Sequence, residues 1–452
     1  MKESNNYLAE EKLGKLMKKF SIPCIMSLLV ASLYNIIDQI FIGQGVGYLG
    51  NGATSIVFPI TIIALAFALL IGDGCAAYLS ICQGRKDLDS AKNTVGNAII
   101  LVVAIGIIYT ILLVLGRDTL LHAFGATPNN MEYAVEYFNV LVIGIPFFMF
   151  GNGMNCVIRA DGNPKYAMIS TLIGAIVNVI LDPIALFVLG WGMTGAAVAT
   201  IIGQIVTAIL AIVYLTHPIS FRLDKKSFGL KSRLIYNFIP LGISSFLTQA
   251  SIVVILATMN NMLVIYGAKS KYGADIPLTV VGIVIKVFQI VVAFVVGIAA
   301  GCQPIIGYNY GAGLNHRVRE LYKKMIIAEC VIGAVSMLLV ECFPMQIISV
   351  FGSESELYNE FAVLAFRIYL CTILLCCIQK ATSIFLQSLG KPVMSMGLSL
   401  LRDFLLCVGF TLIFAKIFGV MGVLYSAPAA DILSMIAVVI MTRKVLKQLK
   451  EK

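Results

Sequence analysis

The sequence predicts an all-α, polytopic membrane protein with twelve transmembrane helices in two six-helix lobes that are related by a parallel internal repeat. Hydrophobic residues make up 59% of the 452 residues, charged residues make up 12%, and the mean hydropathy is +0.94. These values exclude a water-soluble globular protein. The chain lacks the alternation of apolar and polar residues that is typical of a transmembrane β-barrel, so helices are the expected spanning elements.

Twelve segments have the length and the apolar composition needed to cross a bilayer, whose hydrocarbon core takes about 20 residues of helix. We expect spans at residues 20–42, 55–79, 94–116, 138–158, 168–189, 195–215, 237–266, 278–307, 325–344, 362–387, 393–418 and 422–441. The first span contains Asp38 and no convincing cleavage site follows it, so we do not expect a removable signal peptide.

The second half of the chain repeats the glycine and proline pattern of the first half at a nearly constant distance. Phe124 of "FGA" matches Phe351 of "FGS", and Pro164 of "DGNPK" matches Pro392 of "LGKPV". Each half has an even number of spans, so both lobes enter the membrane in the same direction. We predict an N-terminal lobe, a cytoplasmic linker and a C-terminal lobe at residues 1–218, 219–236 and 237–452.

The positive charges predict the orientation of the chain in the membrane. Most lysines and arginines fall in loops on one side of the predicted bundle, whereas Arg117, Lys269 and Lys271 fall on the other side. Loops rich in these residues stay in the cytoplasm. We therefore expect a multi-pass protein of the cell inner (cytoplasmic) membrane with both termini in the cytoplasm. The net charge of +10 reflects this topology and requires no nucleic-acid partner.

Two aspartates stand out because they lie within otherwise apolar spans. Asp38 is in the first span and Asp182 is in the fifth, each one helical turn after a polar residue, Tyr34 or Asn178. Thr200 lies at a similar depth in the sixth span. An ionised carboxylate in hydrocarbon costs at least a few kcal/mol, so we interpret these side chains as a functional site. The alternative is that they only hold helices together.

Two further positions bear on this site. Pro183 cannot donate a backbone hydrogen bond to the carbonyl of Val179, so we expect a helix kink there and a free acceptor for an ion, a water molecule or a proton relay. In the second lobe, Lys286 lies in the eighth span. It either faces a central cavity opposite the aspartates or packs against lipid and neighbouring helices, and both interpretations stay open.

The remaining ionisable residues predict no further centre. Arg402 and Asp403 are adjacent and are not expected to face each other across a helix, while Asp73 and Asp431 have no assigned role. Cysteines and histidines are scattered without metal-site spacing, so we expect no metal centre and no cofactor. The sequences around the two membrane aspartates do not match those of intramembrane aspartyl proteases, so we expect no enzyme.

Three stretches resemble the multidrug and toxic compound extrusion (MATE) family, in particular its bacterial MepA-like branch. They are "SLYNIIDQIFIGQGVG" in the first span, "RADGNPKYAMISTLIGAIVNVILDPI" leading through the fifth span, and "GAAVAT" in the sixth. The resemblance extends over nearly the whole chain. It implies an antiporter that exports amphipathic, often cationic, drugs or toxic compounds by alternating access, driven by H⁺ or Na⁺.

The resemblance also implies roles for individual residues. The coupling residues, where Na⁺ would be held if it is the coupling ion, correspond to Asp38, Asn178, Asp182 and Thr200. Further candidates for the cavity are Tyr34, Asn152 and Asn155. Repeat-related positions in the second lobe are apolar, at Ile255, Leu406, Phe410 and Ala427. We expect small-molecule substrates and the lipid bilayer as partners, and a monomer.

The main alternative is a lipid-linked saccharide flippase of related architecture. Such a protein is expected to have a more cationic cavity and often two additional spans. An ion channel is disfavoured because the sequence has no filter-like repeat.

Overall fold

The computed structural model describes residues 6–351 and 355–450. In this part of the chain every regular secondary-structure element is a helix, which confirms the predicted all-α class. Long apolar segments fold this way because a helix satisfies its backbone hydrogen bonds within one segment, away from water.

The first half of the chain forms one short helix, α1 (Tyr7–Glu10), and then long helices joined by short loops. The long helices are α2 (Leu13–Gly45), α3 (Tyr48–Gly84), α4 (Leu88–Ala123), α5 (Met131–Ala160), α6 (Pro164–Pro183) and α7 (Gly192–Thr216). A π-helix at Ile184–Val188 continues α6, and the segment after α7 contains a 3₁₀ helix at Lys225–Phe228.

The second half follows the same plan with more interruptions. Its helices are α8 (Ser232–Gly267), α9 (Asp275–Gly311), α10 (Asn315–Cys342), α11 (Pro344–Phe351), α12 (Glu356–Leu370), α13 (Ile373–Ser388), α14 (Pro392–Ser399), α15 (Gly409–Phe418) and α16 (Val420–Gln448). A π-helix at Leu400–Val408 joins α14 to α15.

The helices account for the predicted membrane spans. Among the described residues, 11 helices are long and apolar enough to cross a membrane, and the total is 12 when α12 and α13 count as one span. These two helices are bent by 42° at Cys371–Thr372, within the predicted tenth span. The hydroxyl of Thr372 donates to Asp431 of α16 at 2.8 Å, which anchors the break. The chain is a multi-pass membrane protein.

The loops that follow α3, α5, α7, α9 and α13 lie at one end of the bundle, together with the start of α2. We call this end the basic end because its loops carry most of the lysines and arginines between spans. The list of its loops is residues 85–87, 161–163, 217–231, 312–314 and 389–391.

Each lobe has its own apolar core, but the lobes exchange the first part of their first helix. Leu13, Leu16 and Phe20 of α2 are buried in a core formed by α9, α10, α13 and α16 of the second half. Conversely, Phe238 near the start of α8 is buried in the core of the first half. The two lobes are therefore interlocked at the basic end.

Glycines allow the exchanged helices to pack closely. A Cβ atom at Gly301 of α9 would lie 2.6 Å from the Cα of Ser21 in α2. Gly242 of α8 sits directly against the backbone carbonyl of Leu70 in α3. No side chain fits at either position without a shift of backbone, so these contacts hold the lobes together at the basic end.

The segment between the lobes is bound to the first lobe. The Asp161 carboxylate accepts hydrogen bonds from the backbone N–H groups of Ile219 (2.7 Å) and Ser220 (3.0 Å). Further along, the side chain of Asn97 accepts from the N–H of Lys231 at 2.8 Å. The predicted linker therefore follows the surface of the first lobe over these residues.

Candidate functional site

The two membrane aspartates come together where α2, α6 and α7 meet. α2 packs against α6, and α6 packs against α7. The start of α6 is defined by Asn163, whose side-chain oxygen accepts from the N–H of Tyr166 at 3.1 Å, and by Pro164 at the first turn. From this start, the helix carries Asp182 to the end of the bundle opposite the basic end.

Asp38 of α2 and Asp182 of α6 form a buried pair, which we call the aspartate pair. Asp38 is 8% exposed and Asp182 is fully buried. Their carboxyl groups are close enough to form a hydrogen bond with each other when one of them carries a proton. Two carboxylates at such close range repel each other in a low-dielectric setting, so they favour a shared proton or a bound cation.

Oxygen atoms at this site lack hydrogen-bond donors. Among the residues that the structure describes, no donor has full hydrogen-bond geometry to Oδ1 of Asp38, Oδ1 of Asn178 or either carboxyl oxygen of Asp182, although the Asn178 amide lies near Asp182. Buried acceptors without partners are costly. Carboxylate and amide oxygens are hard ligands of the kind that alkali and alkaline-earth cations prefer. The donor set therefore fits H⁺ or Na⁺.

Thr200 extends the site onto α7. The side-chain amide of Asn178 donates to the hydroxyl of Thr200 at 3.4 Å, and that hydroxyl donates to the carbonyl of Ala196 at 3.0 Å. The predicted site residues Asp38, Asn178, Asp182 and Thr200 thus lie together, with Asn178 between the aspartate pair and α7.

Two tyrosines, Tyr34 and Tyr137, lie near the aspartate pair, and the sequence indicated only Tyr34. Tyr34 of α2 lies near both carboxyl groups. Tyr137 of α5 is 7% exposed, is within hydrogen-bonding reach of Thr200 and also lies near both carboxyl groups. The available signal was its position at the start of the fourth span, at the depth of the aspartates, because a buried tyrosine hydroxyl needs a polar partner.

Asn152 and Asn155 lie elsewhere in the first lobe. The Asn155 side chain accepts from Ser170 (2.9 Å) and donates to Thr171 (3.1 Å). Asn152 donates to the carbonyl of Phe148 in its own helix at 2.9 Å. Thr171 precedes Asp182 on α6 by about 11 residues, or roughly 16 Å of helix. The structure therefore does not bring these asparagines to the aspartate pair.

Pro183 and Lys286 were also selected from the sequence. α6 ends at Pro183, and the chain continues as the π-helix Ile184–Val188, so the helix geometry changes directly after Asp182. Lys286 lies on α9 with an exposed side chain.

Three other intramembrane charges, Asp73, Arg402 and Asp431, are paired in the structure. Asp73 accepts from the hydroxyl of Ser245 at 2.9 Å and lies 3.7 Å from Arg159. The guanidinium of Arg402 lies 2.9 Å from Asp431. Asp73 of α3 thereby contacts Arg159 within the first lobe and Ser245 of α8 in the second half of the chain.

The expectation that Arg402 and Asp403 do not face each other is wrong. Nη1 of Arg402 lies 2.6 Å from Oδ1 of Asp403. Both residues lie in the π-helix Leu400–Val408, whose wider turn departs from the α-helical spacing on which the expectation rested, and the long arginine side chain reaches back. Lys380 of α13 lies 3.7 Å from the other Asp403 oxygen.

The chain resembles known transporters along its whole length. The MatE family model matches it twice, at residues 23–184 and 250–413, once in each half. The "Multidrug export protein MepA" of Staphylococcus aureus (strain MSSA476) is 25% identical over 443 residues, which cover 97% of this chain and 95% of the relative. The protein of the same name from Staphylococcus haemolyticus (strain JCSC1435) is 24% identical over 436 residues, covering 94% and 92%.

A solved structure shares the fold. The "Outward-facing conformation of a multidrug resistance MATE family transporter of the MOP superfamily" superposes with a TM-score of 0.91 at 24% identity and covers 100% of this chain and 99% of the solved one. The double match of the family model agrees with the predicted internal repeat. Because the MatE model matches more than half of the 452 residues, this protein belongs to the MATE family.

Proposed function

We propose that the protein is a cation-coupled antiporter that exports amphipathic, often cationic, drugs or toxic compounds in exchange for H⁺ or Na⁺. The observation that carries the proposal is the aspartate pair, buried in the first lobe, in which three of the four carboxyl oxygens have no donor in full hydrogen-bond geometry among the described residues. The printed names of the relatives as multidrug export proteins support the substrate class.

The proposed coupling between the ion and the substrate is electrostatic. An empty, ionised aspartate pair attracts a cationic substrate, and a proton or Na⁺ that enters the site neutralises it and weakens that attraction. Asn178 and Thr200 supply the neutral oxygens that orient the carboxyl groups or share a metal ion. Binding of the coupling ion and of the substrate thus exclude each other, which is the requirement for exchange.

The coupling also needs a mechanical connection, and α2 supplies it. This helix carries Asp38 toward one end and is buried in the core of the second lobe at the basic end. A change in the contacts of Asp38 with α6 therefore acts on the helix that joins the lobes. We place the basic end and both termini in the cytoplasm, in the inner membrane, and propose that one chain transports as a monomer.

Dye efflux tests the site. We expect Asp38→Asn and Asp182→Asn each to lower efflux of a cationic dye about tenfold or more, which corresponds to about 1.4 kcal/mol. Asp118→Asn, at an exposed acid of α4, is the matched control and is expected to keep wild-type efflux. Wild-type efflux by both aspartate variants at equal expression would refute the proposal.

Gradients imposed on purified protein in liposomes identify the ion. Efflux driven by a proton gradient alone, at constant Na⁺, assigns H⁺ as the coupling ion, and efflux driven only by a Na⁺ gradient assigns Na⁺. Efflux that continues without either gradient would contradict antiport.

A further inference from the structure

A second buried carboxyl group lies in the other lobe, away from the aspartate pair. Glu329 of α10 is fully buried, and neither of its carboxyl oxygens has a hydrogen-bond partner among the residues that the structure describes. α10 packs against α9 and α13. An ionisable side chain inside a membrane bundle is costly unless it has a function.

The ionisable groups near enough to sense the charge of Glu329 are thiols. They are Cys302 of α9, Cys377 of α13 and Cys330, its neighbour on α10. Cys24 of α2 lies beyond Cys302. Thiols are weak hydrogen-bond donors and cannot compensate a carboxylate. A charged Glu329 carboxylate would therefore have no compensating partner in this conformation.

Glu329 lies near the contact between the lobes. Cys302 of α9 is within hydrogen-bonding reach of Ser21 of α2 and is near enough to Glu329 to sense its charge. The Ser21 hydroxyl donates to the carbonyl of Ile298 in α9 at 3.2 Å, and Gly301 packs on Ser21 at the same level. If α2 and α9 separate at the basic end, water reaches this face of α9 and thereby the carboxyl group.

We propose that Glu329 is a second proton-binding site, which holds a proton while α2 and α9 are packed at the basic end and releases it to water when they separate. The step breaks the carboxyl O–H bond and leaves a hydrated carboxylate. It extends the proposed transport cycle to the second lobe but does not require the aspartate pair to be the coupling site.

Infrared spectroscopy tests the protonation. Purified protein carrying Asp38→Asn and Asp182→Asn is placed in liposomes, so that the first-lobe carboxyl groups do not contribute. At neutral pH we expect the carbonyl stretch of a protonated carboxyl group, which Glu329→Gln loses. Glu320→Gln, at an exposed acid of the same helix, keeps it.

The proposal is overturned if Glu329→Gln keeps the band. If Glu329→Gln does not fold, the protein that carries only Asp38→Asn and Asp182→Asn still tests the proposal. Absence of the band at neutral pH in that protein would show that Glu329 is ionised and would overturn the proposal. This result is independent of dye efflux, so failure of the coupling proposal and failure of this one are distinguishable.

Hydrogen–deuterium exchange tests the link to lobe separation. After correction for the intrinsic pH dependence of amide exchange, residues 20–25 and 297–302 should exchange faster in wild type as pH rises. Glu329→Gln cannot lose a proton and should show no such rise, whereas Glu320→Gln should follow wild type. An equal rise in Glu329→Gln would overturn the link.

Discussion

At the scale of single residues, the aspartate pair is surrounded by neutral polar groups within the membrane core. The side-chain amide of Asn178 donates to the hydroxyl of Thr200, and Tyr137 of α5 lies within hydrogen-bonding reach of the same hydroxyl. Each of these groups is neutral, so the charge of the site is carried by the two carboxyl groups. Under the proposed function, their protonation or metal binding sets the net charge that a substrate meets.

Tyr137→Phe tests the contribution of the additional tyrosine. Loss of the hydroxyl removes one hydrogen bond, worth about 1 kcal/mol, so we expect roughly a fivefold lower apparent affinity for the coupling ion. The measurement is the ion concentration at half-maximal efflux in liposomes. Tyr133→Phe, one turn earlier on α5, is the control. An unchanged ion dependence in Tyr137→Phe would show that the hydroxyl does not act on the site.

At the scale of elements, the segment at the start of the described chain connects the two lobes at the basic end. The Tyr7 hydroxyl donates to the carbonyl of Gly162 in the first lobe at 3.1 Å. Arg317 of α10 donates to the carbonyls of Leu8 (3.3 Å) and Glu11 (2.6 Å). α1 and the residues after it thus bridge the lobes beside the contacts of α2.

Arg317→Gln should release this segment without unfolding the protein. The shorter amide cannot make both carbonyl contacts, so we expect roughly tenfold faster amide exchange at residues 7–12 with little change in the spans. Lys323→Gln, at an exposed position of the same helix, is the control. Equal protection of residues 7–12 in both variants would show that Arg317 does not hold the segment.

At the scale of the whole molecule, the lobes are held together by exchanged helices. The start of α2 belongs to the core of the second lobe, and the start of α8 belongs to the core of the first. The alternating access that we propose would require separation of tight glycine contacts rather than of loosely packed surfaces. Tight packing at one end and the buried aspartate pair toward the other are consistent with that proposal.

Two glycine substitutions in α9 test this packing. Gly301→Ala places a methyl group against the Ser21 backbone, so we expect a stability loss of about 1–3 kcal/mol and a lower melting temperature, together with reduced efflux. At Gly282, a Cβ atom meets nothing within 4 Å, so Gly282→Ala should be neutral or stabilising by up to about 1 kcal/mol. The interpretation is wrong if the two variants behave alike.

Composition and span length were sufficient for the fold class and the spans, because an apolar segment of about 20 residues has few stable options in a bilayer. Helical spacing likewise placed Asn178 one turn from Asp182. The structure decided which groups meet between helices: it added Tyr137, separated Asn155 from the aspartate pair and paired Arg402 with Asp403. It also revealed the exchanged helix starts and the buried Glu329. Spacing along one helix is local, whereas contacts between helices depend on side-chain packing and on departures from α-helical geometry such as the π-helices, which a linear pattern does not specify.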